Sequence, residues 1–393
     1  MHFHPNHQFG IMTAFGSYNN RDRPVTLDSF VIACANSLFS FISGFAVFAS
    51  LGHLADLQGV TVKELDFEGF SLVFGTWPVV FGTLPGGEHW VRLLFFDLFL
   101  LGIDSGFGLL EGSLTAAADT VYFCTWKKWQ LAALQCIVGF GFSFIYCTDA
   151  GLNFLDAVDF YINFVLLLVG FFETFAAGWI YGLEDSINSL GNKVVVSYMC
   201  ANFLSVIAAS CLWFGVSENE VAIGLGFAAL FGVYGIGIAI TAFFMKQKMD
   251  QEPGKWTWGD MSWELAFGNV MHLRDRLAHC IGFFPRIWAY MMKQFIPHIL
   301  LILFANLASS TNDNGKKVFG NFGGYRAWPF QYLGYGCVMF AGSLFLIGLL
   351  VPDAYDGLTL IDEKAQIAEK DLQEFEADKS QADSDNSPEL ADA

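Results

Sequence analysis

Charge is what this sequence has least of. Charged residues make up 15% of its 393 positions, against roughly 25% in soluble domains, which sets it apart from the ordinary soluble class. Basic residues are scarcer still, 20 Lys and Arg against 38 Asp and Glu, so nucleic acid is excluded as a partner. Short-spaced cysteines are missing too. The eight cysteines (34, 124, 136, 147, 200, 211, 280 and 337) form no CxxC and no metal-ligand spacing, and they read as small buried hydrophobes. The short alternating segments of an outer-membrane barrel are absent. The start, MHFHPNHQFG, has neither a basic n-region nor an apolar h-region, so it is not read as a signal peptide. Its His2, His4 and His7 could grip a metal, but a floppy His-rich start is more often incidental.

What the chain does have is apolar length. Hydrophobic residues reach 54%, with 43 phenylalanines, and they come in blocks long enough for the roughly 20 helical residues that cross a bilayer. Apolar stretches at about 26–52, 88–120, 130–147, 158–188, 193–215, 221–245, 284–308 and 329–351 predict eight spans, preceded by an apolar piece at 9–18 too short to cross. The expectation is an all-α polytopic membrane protein. Between the first two spans, Pro78 and a Gly-rich end predict a short helical hairpin in a loop. Residues 250–283 mix tryptophans with acids and bases and predict an amphipathic helix on the inner leaflet.

Lys and Arg distribution orients the spans. Arg21, Arg23, Lys127, Lys128, Lys246, Lys248, Lys255, Arg274, Arg276 and Arg286 fall on one side, a larger set lying closer to the span ends than that of the other side. That side is expected to be cytoplasmic, and the C-terminus with it. From Asp353 onward the chain carries 13 acids and three lysines, which reads as a disordered solvated tail.

Ionisable groups in mid-membrane are expensive and are functional hypotheses by default. The span at 88–120 holds Asp97, Asp104 and Glu111 in its apolar body and Asp119 at its end. Asp97, Leu101, Asp104, Ser105, Gly108 and Glu111 recur at helical spacing and form one stripe, which must face protein or water. Carboxylate, hydroxyl and backbone carbonyl are ligands for a hard cation, and Gly102, Gly106 and Gly108 could loosen the helix enough to turn the Leu101 carbonyl toward an ion. The alternative is a protonated Asp104 hydrogen-bonded to a neighbouring helix. In the span at 26–52, Asn36 and Ser40 share a face, as ion ligands or as interhelical hydrogen-bonding groups.

LGIDSGFGLLEG (101–112) resembles the eighth-helix signature LGLDSxFxxLEG of the neurotransmitter:sodium symporter family. NSLFSFISGFAVFASLGHLA (36–55) resembles its seventh-helix signature, FGIMTAFGSYNNRD (9–22) the inner half of its sixth helix, and FFETFAAGWIYGLEDSINSLG (171–191) its tenth. The resemblance implies a partial LeuT-type inverted-repeat bundle of about eight transmembrane helices plus an N-terminal half-helix. It further implies that the Leu101 carbonyl, Asp104 and Ser105 supply part of one sodium site. Asn36 would ligate the other sodium and Ser40 would match a chloride-site hydroxyl. Gly106 and Leu109 would line the substrate pocket, Tyr18 and Asp119 would form the inner gate, and Glu173 would belong to the outer gate. Asp97 has no counterpart in the pattern.

The chain also departs from that pattern. The family's first five helices have no match, Phe39 stands where a Thr is expected, and the spans at 193–215 and 221–245 are additions. The organisation expected is therefore a half-helix and cytoplasmic turn (1–25) and helices seven to ten (26–191) with an extracellular hairpin at 60–87. Two inserted helices and an interfacial segment (192–283), helices eleven and twelve (284–352) and the tail (353–393) follow. The reading is the C-terminal portion of a sodium-coupled symporter for amino acids or related small amines or osmolytes. It would sit in the plasma membrane with Na+ as coupling ion and Cl- undetermined, and would not transport without the unmatched helices. The alternative is a non-transporting membrane protein that self-associates, or pairs with and regulates a full-length relative. No nucleophile–base set supports an enzyme.

Overall fold

The computed structural model of the chain describes residues 11–18, 25–62, 72–215, 220–311, 317–355 and 358. The His-rich start, part of the loop hairpin, most of the SENE turn and nearly all of the acidic tail lie outside them. Among the described residues the fold is helical, with no named strand and one isolated bridge between Thr311 and Lys317. Eight helical segments are long and apolar enough to cross a membrane, and they coincide with the eight expected spans. They are α2 (Thr26–Gln58), α4 (Gly87–Ala118), α5 (Lys128–Tyr146), α6 (Gly151–Phe175) continued into α7 (Leu183–Leu190), α8 (Asn192–Gly215), α9 (Glu220–Gln251), α12–α13 (Arg286–Tyr290 and Ile296–Ser309) and α14 (Tyr332–Leu350). The short elements are α1 (Ile11–Ser17), α3 (Trp77–Gly82), α10 (Trp258–Trp263) and α11 (Asn269–Ile281). A π-helical turn, Leu72–Thr76, leads into α3, so a short apolar helix stands where the hairpin was expected.

Lipid is as apolar as leucine, so spans associate through close packing and hydrogen bonds rather than through exclusion from water. The sequence supplies both. α8 and α9 form an antiparallel hairpin, and a Cβ at Gly237 would lie 2.5 Å from Ala201 Cβ; the missing side chain is what lets the two backbones approach. Helices α6, α8 and α13 form the centre of the packing, and the two additional spans are part of that centre. The core cluster joins Trp179, Leu190, Val194, Tyr198 and Met245 to Met261 and Leu265. The last two come from the amphipathic segment, which lays its apolar residues on this core while Trp258 and Trp263 stay exposed.

At the opposite end of α6, the loop before α14 caps the helix. Tyr161, fully buried, donates to Gln331 Oε1 at 2.6 Å and accepts from the Gly320 backbone N–H at 3.0 Å. Tyr325 donates to Asp156 Oδ2 at 2.9 Å, and Phe160 stacks on Phe322 with centroids 4.2 Å apart. Helices α2, α4 and α5 lie at the periphery, and their phenylalanines are exposed as lipid-facing residues would be.

Candidate ion site and inner gate

Helix α4 begins after Gly86, whose φ of 75° suits a residue without a side chain, and runs unbroken to Ala118. Asp104 and Ser105 stand near its middle. The expected loosening at Gly102, Gly106 and Gly108 is not observed: Leu101 lies in regular helix, where the ladder bond occupies one lone pair of its carbonyl and leaves the second. A Cβ at Gly106 would meet nothing within 4 Å, so there is room beside it, next to the exposed Leu109. Leu101, Asp104, Ser105, Gly106 and Leu109 are thus held on successive turns of one helix, exposed together.

The direction of the stripe is fixed by α1. Ile11 and Ala14 are buried, and a Cβ on Gly108 would come 3.6 Å from Ile11 Cγ2. One turn further, the Tyr18 hydroxyl donates to Glu111 Oε1 at 2.6 Å, lies 3.1 Å from Thr115 Oγ1, and accepts from Lys128 Nζ at 3.0 Å. The same ammonium sits 4.6 Å from the Tyr18 ring centroid. Asp119 caps α4, its N–H bonded to the Thr115 carbonyl at 3.2 Å, within electrostatic reach of Lys128. The two expected gate residues therefore meet at one end of α4, and the structure adds Glu111, Thr115 and Lys128 to them. Lys128 was legible in the sequence only as an orienting charge.

Other expected site residues are not brought together. Asn36 and Ser40 are exposed on α2, which packs on α3, whereas α4 packs on α1, α3 and α5; the two proposed ion half-sites do not meet. Glu173 lies 22 residues beyond Gly151, the start of α6, or about 33 Å along the axis at 1.5 Å per residue. That length returns it toward the membrane side of Asp119, because α5 crosses once and α6 crosses back. An outer-gate role does not fit that depth. Among the described residues no three His, Cys, Asp or Glu side chains cluster as a metal site. A sodium site built from a carbonyl, a hydroxyl and one carboxylate would not form such a cluster.

Sequence reasoning missed a second polar centre. Three π-helical turns, Ala176–Ile180, Glu264–Gly268 and Met291–Phe295, converge on Lys293, and such turns are frequent at functional sites. Lys293 is buried and donates to Asn269 Oδ1 at 2.6 Å and to the Leu265 carbonyl at 3.0 Å, with its ammonium 5.2 Å from the Trp179 ring centroid. Trp179 Nε1 donates to the Lys293 carbonyl at 2.8 Å, and Asn269 Nδ2 donates to the carbonyls of Gly178 and Tyr181 at 3.0 and 2.9 Å. The signal was present: Lys293 is the basic residue inside the apolar run at 284–308.

Comparison with known proteins agrees with the residues of α2, α4 and α6. The sequence model of the sodium:neurotransmitter symporter family matches residues 1–222. The sodium- and chloride-dependent taurine transporter of Canis lupus familiaris is 30% identical over 242 residues, 56% of this chain and 39% of that protein. The sodium- and chloride-dependent creatine transporter 1 of Bos taurus is 33% identical over 180 residues, 44% of this chain and 28% of that protein. The sodium- and chloride-dependent neutral and basic amino acid transporter B(0+) of Homo sapiens is 32% identical over 192 residues, 47% and 30% of the two chains. This chain thus spans well under half the length of these relatives. No solved structure matches it. With a family match across more than half of its length and eight apolar spans beneath it, this multi-pass membrane protein belongs to the sodium:neurotransmitter symporter family.

Proposed function

We propose that the chain carries the scaffold portion of a sodium-coupled symporter for amino acids or related small amines or osmolytes, and acts in transport rather than in catalysis. Asp104, Ser105 and the Leu101 carbonyl are its share of one sodium site, Asn36 its share of another, and Ser40 its share of a chloride site. Substrate would lie against Gly106 and Leu109, and Tyr18 with Asp119 would close the inner path. The observation that carries this reading is the carboxylate stripe of α4, whose inner end is clamped to α1 through Tyr18 and Glu111 while Asp104 stays open one to two turns away. The relatives' sodium, chloride, taurine, creatine and amino-acid dependence supports the choice of ions and substrate class.

On this reading α2, α4, α5 and α6–α7 correspond to the family's seventh to tenth helices. The segment α12–α13 and helix α14 correspond to its last two, with α8 and α9 as additions. The membrane is the plasma membrane and the C-terminus is cytoplasmic. The latter is supported by the backbone N–H of Val121 bonding to the Leu358 carbonyl at 3.1 Å, which brings the chain after α14 back to the basic α4–α5 turn. The test is sodium-gradient-driven uptake of taurine, creatine and neutral amino acids by vesicles containing the full chain. Accumulation abolished by Asp104→Asn supports the reading, and uptake indifferent to sodium overturns it.

A second reading is favoured by the exposure of Asn36, Ser40, Asp104 and Ser105. Ions bound there need further ligands over these faces, and a longer relative could provide them by pairing with this chain. Co-purification with such a relative, together with a changed sodium dependence of its uptake, would support pairing without transport by this chain alone.

A further inference from the structure

Helices α8, α9 and α13 enclose a cavity of about 740 Å³ whose walls change character along the helix axes. At one end lie Tyr198, Asn202, Gln294 and His298. These are six to ten residues beyond Asn192 on α8 and eight to twelve beyond Arg286, so the polar end begins roughly 10 Å inside the bundle at 1.5 Å per residue. At the other end Val206, Leu230 and Ile302 are shared with a second, wholly apolar cavity of about 270 Å³ that runs on between Trp213 and Phe227. The two make one groove, wide and polar at the first end, narrow and apolar at the second, and about 24 Å long from Tyr198 to Phe214.

The chemistry of the walls restricts the occupant. No Asp, Glu, Lys or Arg lines either cavity, so a phosphate, ammonium or carboxylate head would be desolvated without a counter-charge. A purely apolar occupant is disfavoured as well. Neither ring nitrogen of His298 has a hydrogen-bond partner among the described residues, although an imidazole offers one donor and one acceptor, and unpaired buried polar groups are costly. The ring is held by stacking on Phe203, centroids 5.1 Å apart, and beside it Gln294 Nε2 donates to Tyr198 Oη at 2.8 Å. A head with more than one hydroxyl can both donate and accept in such surroundings. The narrow far end admits one acyl chain and not two. Phe231 and Phe295, at the edge of the wide end, are exposed along apolar spans, which gives entry from the bilayer.

We propose that this groove binds a single-chain neutral lipid of the monoacylglycerol type, its hydroxyl head among Tyr198, Gln294 and His298 and its acyl chain directed toward Trp213. The site is separate from the Asp104 stripe and does not depend on the transport reading. The test uses the full chain in nanodiscs with a photoactivatable, clickable monoacylglycerol. Cross-links are expected on peptides of α8, α9 and α13. An excess of unlabelled monoacylglycerol should reduce them at least five-fold, whereas the free fatty acid of equal chain length, lysophosphatidylcholine, diacylglycerol and a sterol should not. The double variant Gln294→Leu/His298→Phe should lower labelling at least five-fold, and so should Ile302→Trp, which fills the junction of the cavities and leaves the polar end intact. The competition series on the unmodified chain stands alone if a variant fails to fold. Labelling spread over α2, α4 and α5, or competition by a charged, two-chain or ring-type lipid equal to that by monoacylglycerol, would overturn the proposal.

Discussion

The Tyr18 hydroxyl donates to the Glu111 carboxylate at 2.6 Å, joining residues 93 positions apart in the chain. Helix α1 is only seven residues long and could not persist alone in water. Its place on α4 depends on Ile11, Ala14 and this bond, which Thr115 and Lys128 share. Tyr18→Phe removes one hydroxyl from all three partners. Exposed charge-assisted pairs are screened, so the cost is about 1 kcal/mol, or roughly five-fold in local opening. Amide exchange of residues 11–18 is expected to quicken by that factor, with α8 and α9 unchanged. Equal exchange in both proteins would place the anchoring of α1 elsewhere.

Asp104→Asn keeps size and hydrogen bonding and removes the charge. A ligand that binds only the folded state raises its stability as concentration rises. Sodium is therefore expected to raise the unfolding temperature of the unmodified chain and leave that of Asp104→Asn unmoved. Asp97→Asn, two turns earlier and outside the family pattern, should keep the sodium effect. A sodium shift that survives Asp104→Asn would remove this residue from the ion site.

The eight spans and the carboxylate stripe were legible because each rests on local information: the length of an apolar run, and the three- and four-residue spacing of a helix. The inner gate was half legible. Tyr18 and Asp119 followed from the resemblance, but Lys128 became a partner only once α5 had folded back beside α4. Lys293 was hidden for a related reason. Its partners Asn269, Leu265 and Trp179 come from three separate segments, and no spacing in the chain announces such a meeting. The outer-gate reading of Glu173 failed on length, since matching residue types did not count how far along α6 that carboxylate lies.

Just past the last residue of α9, Glu252 accepts from Lys248 Nζ at 2.6 Å and pairs with Lys255 Nζ at 2.9 Å. These hydrogen bonds, first that of Lys248 and then that of Lys255, hold its carboxyl below the usual range. A depressed carboxyl contributes stability that is fully present above its unfolded-state value and is lost as pH falls through the folded one. The C-terminal turn of α9 should therefore loosen on acidification below the ordinary carboxylate range and not on passing from neutral to mildly acidic pH. Amide exchange of residues 248–255, corrected for intrinsic pH effects, should show this step in the native chain. Glu252→Gln should abolish it, and a step that persists in Glu252→Gln belongs to another group.

Lys293 offers the sharpest test of how the core is held. Its ammonium is buried against Asn269 Oδ1, the Leu265 carbonyl and the Trp179 ring, while Asn269 also donates to the carbonyls of Gly178 and Tyr181. The backbone there is close as well: a Cβ on Gly178 would lie 2.8 Å from the Met292 carbonyl oxygen, so the turns cannot slide to find new partners. Asn269→Leu takes an acceptor from a buried charge and a donor from two carbonyls, a loss of about 3 kcal/mol or more. Lys293→Met keeps most of the volume and removes the charge that has to be solvated, so it should cost less. In Asn269→Leu/Lys293→Met the stranded charge is gone, and the double variant is expected to be more stable than the sum of the two single losses by about 1–2 kcal/mol. Unfolding midpoints of the four proteins in one detergent measure that coupling, and strict additivity would mean that the ammonium has solvation other than Asn269.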